Sequence, residues 1–125
     1  MTLILDAGAL IAVERGDRQL LALLNFERLA GRPPLSHGGV VGQVWRGGPR
    51  QARLAALLDG TEIAALDREL GRRAGALLAA SGTSDVVDAA LVLLAADGDE
   101  LVTSDPEDLA VLAVAAGTHL EIDVV

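Results

Sequence analysis

The stretch Leu3-Ile4-Leu5-Asp6-Ala7-Gly8-Ala9-Leu10 passes from three large aliphatic residues to one acid and then to a segment of small and apolar residues. A short apolar run without polar alternation is the signature of a strand buried on both faces, and such strands belong to parallel sheets covered by helices. A second stretch, Leu101-Val102-Thr103-Ser104-Asp105-Pro106, repeats the arrangement near the other end of the chain. If both are strands of one parallel sheet, Asp6 and Asp105 stand at its carboxyl edge, where open α/β sheets bind their ligands.

Strands and helices alternate outward from these two anchors, with no linker and no internal repeat. The pattern predicts a strand over 2–6, a short helix from Gly8 to Glu14, and a helix capped by Asp17 that carries Leu20, Leu21, Leu23, Leu24 and Leu29. Gly31-Arg32-Pro33-Pro34 stops it. Leu35-Ser36-His37 reads as a short strand, followed by a helix through Val40, Val41, Val44 and Trp45. Pro49 suits the first turn of a helix running to about Leu58. A strand from Thr61 to Leu66, a helix from Asp67 to Ala80 and a helix from Asp85 to Ala96 follow. Glu100–Ser104, Pro106–Ala116 and His119–Val124 read as strand, helix and strand. The expected fold is a three-layer α/β/α sandwich with a mainly parallel sheet, in a single domain over residues 1–125.

Composition narrows the classes. Hydrophobic residues make up 51% of the 125, too many for a disordered chain. The absence of cysteine excludes disulfides, thiolate metal sites and cysteine nucleophiles. Met1 leads straight into the first apolar run, with no basic segment or cleavage site, and no stretch approaches a membrane span. The expectation is a soluble, cytoplasmic protein. The net charge of −8 does not suit a non-specific nucleic-acid binder. It is unevenly spread, however: all ten basic residues are Arg and lie at or before Arg73, while residues 74–125 carry ten acids and no base. An Arg-rich surface beside an acidic pocket and a merely solubilising acidic half are both consistent with that polarity.

Asp85 and Asp88 complete the acidic set. A helix leading into a parallel strand starts at the carboxyl edge, so Asp85 at its mouth and Asp88 one turn further in would join Asp6 and Asp105. Converging carboxylates repel unless a cation holds them, and hard oxygen donors select Mg²⁺ or Mn²⁺. Each acid has a plainer alternative: Asp85 as a helix cap and Asp105 as a cap before Pro106. Asp88, among Val87, Ala89, Ala90 and Leu91, is costly to bury unless paired or coordinated. This chemistry points to a metal-dependent phosphodiesterase.

At these residues the chain resembles the PIN-domain ribonucleases, particularly the VapC-type toxins of prokaryotic toxin–antitoxin pairs. The matching pieces are Leu5-Asp6-Ala7-Gly8-Ala9-Leu10, Asp88-Ala89-Ala90-Leu91-Val92 and Thr103-Ser104-Asp105, in order along the whole chain. The resemblance implies an endoribonuclease that cleaves RNA with metal-activated water. It assigns Asp6, Asp88 and Asp105 catalytic roles, and Asp6, Asp85, Asp88 and Asp105 to one or two Mg²⁺ or Mn²⁺ ions. It also implies a homodimer and an antitoxin partner. One departure stands out: where the family places a Glu on the helix after the second strand, this chain has Gln43, a neutral oxygen that can bind a metal-bound water or a weak metal but cannot supply charge. The alternative is therefore a catalytically degenerate domain that only binds a protein partner.

Arg46, Arg50 and Arg53, around the Gly47-Gly48-Pro49 break, are candidate RNA contacts, with a solvated helix face as the rival reading. Trp45 is expected to pack rather than stack on a base, and so few aromatic residues argue against an RNA-recognition module. With no Lys, a phospho-receiver domain is excluded, as are nucleotide-binding glycine loops. His37 and His119 are isolated, against a zinc site.

Overall fold

Leu3, Ile4 and Leu5 are all buried, and their strand (β1, Leu3–Leu5) lies at the centre of a five-stranded sheet in the computed structural model, which describes residues 1–125. After it come α1 (Ala7–Arg15), α2 (Arg18–Leu29), β2 (Leu35–His37), α3 (Gly38–Val44), a 3-10 turn (Pro49–Gln51), α4 (Ala52–Asp59) and β3 (Glu62–Ala64). The second half holds α5 (Arg68–Ser81), α6 (Val86–Leu94), β4 (Glu100–Thr103), α7 (Pro106–Ala116) and β5 (Glu121–Val124). The strand order is β3-β2-β1-β4-β5 and every pairing is parallel. Leu5 pairs with Val102, so β1 and β4 end within one residue of each other.

The chain steps outward from β1 to β2 and β3, then returns to the other side of β1 for β4 and β5. Right-handed crossovers in opposite directions put their helices on opposite faces. Accordingly α1 packs against α2, α3 and α4, whereas α5, α6 and α7 pack on one another. The predicted three-layer α/β/α sandwich is thus the observed architecture. One cluster of 23 buried apolar residues fills both interlayers, including Leu10, Leu54, Leu91, Leu101 and Leu109 with no exposed surface. Each such Leu contributes about 1.5–3 kcal/mol by leaving water. No single helix is long and apolar enough to cross a membrane.

Element ends differ from expectation where a side chain intervenes. Asp6 leaves the strand to cap α1, which therefore starts at Ala7. The strands predicted over 61–66 and 119–124 shorten to Glu62–Ala64 and Glu121–Val124, the lengths their single neighbours pair with. The helix expected from Pro49 begins as a 3-10 turn because buried Gln51 is drawn backward. Its Oε1 accepts the Arg46 and Gly47 N–H groups, both at 2.8 Å, and its Nε2 donates to the Val44 carbonyl at 3.0 Å. Trp45 falls outside α3, on extended backbone, and is 41% exposed instead of packed. The helix expected to reach Ala96 ends at Leu94, since Asp99 Oδ2 takes the Ala96 N–H at 2.8 Å.

Candidate functional site

The reversal of strand order about β1 makes the gap between β1 and β4 the topological switch point, and the crevice outside their carboxyl ends is the expected site. Asp6 sits there, buried, with both oxygens engaged. Oδ1 accepts the Ala9 N–H at 2.9 Å, the capping bond of α1, and Oδ2 accepts the Thr103 hydroxyl. Thr103 Oγ1 in turn accepts the Asp105 N–H at 2.8 Å. One hydroxyl thereby joins the ends of β1 and β4 and fixes the Asp6 carboxylate. Burial pushes the Asp6 carboxyl up, the bonds from Thr103, Ala9 and Gly8 oppose this, and the charge of Asp105 adds to the rise.

Asp88 enters from the opposite helical layer. Helices α5 and α6 meet at a bend of 106°, which lets α6 restart at the carboxyl edge. Its half-buried carboxyl is pushed up to about 6, first by burial and then by the charges of Asp85, Asp6, Asp105 and Asp108. Asp108, in the first turn of α7, is a fifth acid that sequence reasoning did not place here. Asp85 is exposed and caps α6, its Oδ1 accepting the Asp88 N–H at 3.0 Å. Asp105 is exposed at the cap position of α7 yet makes no capping bond with its side chain, so its carboxylate is free. Of the four acids singled out in the sequence, Asp88 lies within range of the charges of the other three, and Asp6 within range of Asp105. They do not close into a ready-made shell: no three acidic or histidine side chains stand close enough together to enclose a metal ion.

The other candidates are placed differently. Gln43 is exposed in the last turn of α3, where its backbone carbonyl is engaged by Arg46 Nη2 at 3.2 Å. The Arg46 guanidinium folds back over the end of α3, donating also to the Gly42 and Trp45 carbonyls at 3.2 and 2.7 Å. Arg53 does the same for α1, donating to the Glu14 carbonyl at 3.1 Å. Glu14 lies about 12 Å along α1 from Asp6 at 1.5 Å per residue, so Arg53 belongs to the far end of that helix. Arg50 is exposed.

Sequence reasoning passed over two buried polar side chains, although each carried a signal. Thr103 is the hydroxyl that ends the buried part of β4 after Leu101 and Val102, and Ser36, in the middle of β2, donates to the Leu5 carbonyl at 2.8 Å. A polar atom in such a setting must have a partner. Comparison with known proteins adds no relative: no family model matches the chain, and no curated protein matches it significantly.

Proposed function

We propose that the chain is a Mg²⁺- or Mn²⁺-dependent endoribonuclease of the PIN-like, VapC-type toxin kind that its sequence resembles. The observation that carries this reading is Asp88, a half-buried carboxyl pushed up to about 6 beside Asp85, Asp6, Asp105 and Asp108. Like charges within range of a half-buried carboxyl disfavour its ionised form, and a divalent cation that drew them together would relieve this. The donor set fits: carboxylate oxygens with no thiolate are what a hard cation prefers. Asp6, Asp88 and Asp105 would hold it, with Asp85 adding charge from its capping position. A bound Mg²⁺ or Mn²⁺ would neutralise charge on the phosphate and acidify an attacking water.

Asp6, fixed by Ala9 and Thr103, supplies the rigid oxygen, while the free Asp105 carboxylate adjusts to it. Exposed Arg50 is the side chain left to meet an RNA phosphate; Arg46 and Arg53 would first have to leave the carbonyls they cap. Calorimetric titration of Mn²⁺, with cleavage of total RNA followed in parallel, tests the reading. Wild type binds and cleaves, and Asp6→Asn and Asp88→Asn each lose about tenfold or more in both. Equal binding by all three proteins would refute a shared site. The neutral, exposed Gln43 and the open spacing of the acids favour the second reading, a degenerate protein-binding domain; a wild type that neither binds Mn²⁺ nor cleaves RNA would establish it.

A homodimer and an antitoxin belong to the same proposal, as does a cytoplasmic location. Phe26 and Leu29 on α2 are 63% and 72% exposed. A cavity of about 540 Å³ opens between α2 and α4, with Leu21, Leu24, Ala56 and Leu57 in its walls and Arg28 and Arg53 among its lining residues. An antitoxin segment laid across these helices would carry a basic group into the acidic crevice and compete there with the cation.

A further inference from the structure

His37 is the only titratable side chain with no exposed surface at all. It ends β2, and its ring lies between the two helices that start beside it, α3 and α6. Nδ1 stands 3.0 Å from the Gly39 nitrogen, and Nε2 stands 2.9 Å from the Val87 carbonyl oxygen in the first turn of α6. A peptide N–H can only donate and a carbonyl can only accept. The ring is therefore the neutral tautomer with its proton on Nε2. The position is shaped for it, since a Cβ on Gly39 would stand 2.8 Å from His37 Cε1 and 3.0 Å from Nδ1.

Val87 immediately precedes Asp88. We infer that His37 is a positioning residue for the Asp88 carboxylate, holding the first turn of α6 against the end of β2 so that Asp88 faces Asp6 and Asp105; its functional consequence rests on the cation-binding reading above. Without the Nε2–H bond, the remaining hydrogen bonds of that turn are the Asp85 cap and the helix's own ladder. A rival role, capping α3 alone, uses only Nδ1.

His37→Asn separates the two roles. Asn is among the best N-caps and keeps an acceptor for Gly39, but its amide is too short to reach Val87. His37→Gln restores the reach. In metal-free protein, His37→Asn is expected to speed amide exchange at Asp88 and Ala89 about tenfold while leaving the middle of α2 unchanged. Mn²⁺ affinity should fall about tenfold in His37→Asn, recover in His37→Gln, and show no further loss when His37→Asn is added to Asp88→Asn. Unchanged exchange at Asp88 and Ala89 overturns the positioning role, whatever the metal does. Faster exchange in a chain whose wild type binds no Mn²⁺ keeps the tether and removes the cation reading. If His37→Asn does not fold, the ¹⁵N shifts of wild-type His37 decide: a proton on Nδ1, or on both nitrogens at neutral pH, overturns the inference.

Discussion

Asp6 and Asp88 are both raised by burial, yet they are held differently: Asp6 has a bond at each oxygen, and Asp88 is surrounded by like charge. The sign of the consequence follows directly. A carboxyl raised from 3.8 to about 6 on folding favours the protonated form. Its stabilising effect is present below the unfolded value and lost as pH rises through about 6. In EDTA, Asp88→Asn should therefore melt above wild type at pH 7.5, by about 2–5 °C. The gap should close as pH falls toward 4, and saturating Mn²⁺ should reverse the order by stabilising wild type more than the variant. His37 works in the opposite direction: burial lowers its pKa, so its contribution is present above about 6.5 and lost on acidification. It is common to both proteins, and the difference between their melting curves isolates Asp88. A gap that does not change with pH would show that Asp88 carries no such shift.

Among the elements, α1 passes close at Gly8 to Ser104, the residue that follows β4. A Cβ there would stand 2.8 Å from Ser104 Cβ and 2.9 Å from its backbone nitrogen. Ala in a helix normally gains about 0.5–1 kcal/mol over Gly. Here the clash outweighs it, and urea denaturation of Gly8→Ala should show a loss of about 1–3 kcal/mol, with Ser104→Gly recovering part of it. A stabilised Gly8→Ala would mean that α1 and β4 separate freely. The same contrast between local and distant causes decides what the sequence discloses. The Asp17 and Asp67 caps and the span of α7 between Pro106 and Gly117 are legible because each is set within a few residues. Strand ends are not, since a strand lasts only as long as its neighbour pairs with it. Nor are the bonds of Arg53 to Glu14, His37 to Val87 and Thr103 to Asp6, which span 39, 50 and 97 residues. The acids of the site were legible as residue types at strand and helix ends; the side chains that hold them were not.

At the scale of the whole molecule, exposed Phe26 and Leu29 on α2 predict self-association. Light scattering at about 50 μM, well above a micromolar dimer constant, should give twice the monomer mass, and Phe26→Ser with Leu29→Ser should halve it. A wild-type monomer at that concentration removes the homodimer. The central place of β1 has a further consequence, in time. The strand made first lies between β2 and β4, and the Thr103 hydroxyl that completes Asp6 lies 97 residues downstream of it. At the usual 5–20 residues per second of synthesis, roughly 5–20 s separate the two on the ribosome. During that interval Asp6 can cap α1, but it lacks Thr103, Asp88 and Asp105. A nascent chain thus carries no assembled acidic crevice until Asp88, Thr103 and Asp105 have all been translated and packed beside Asp6.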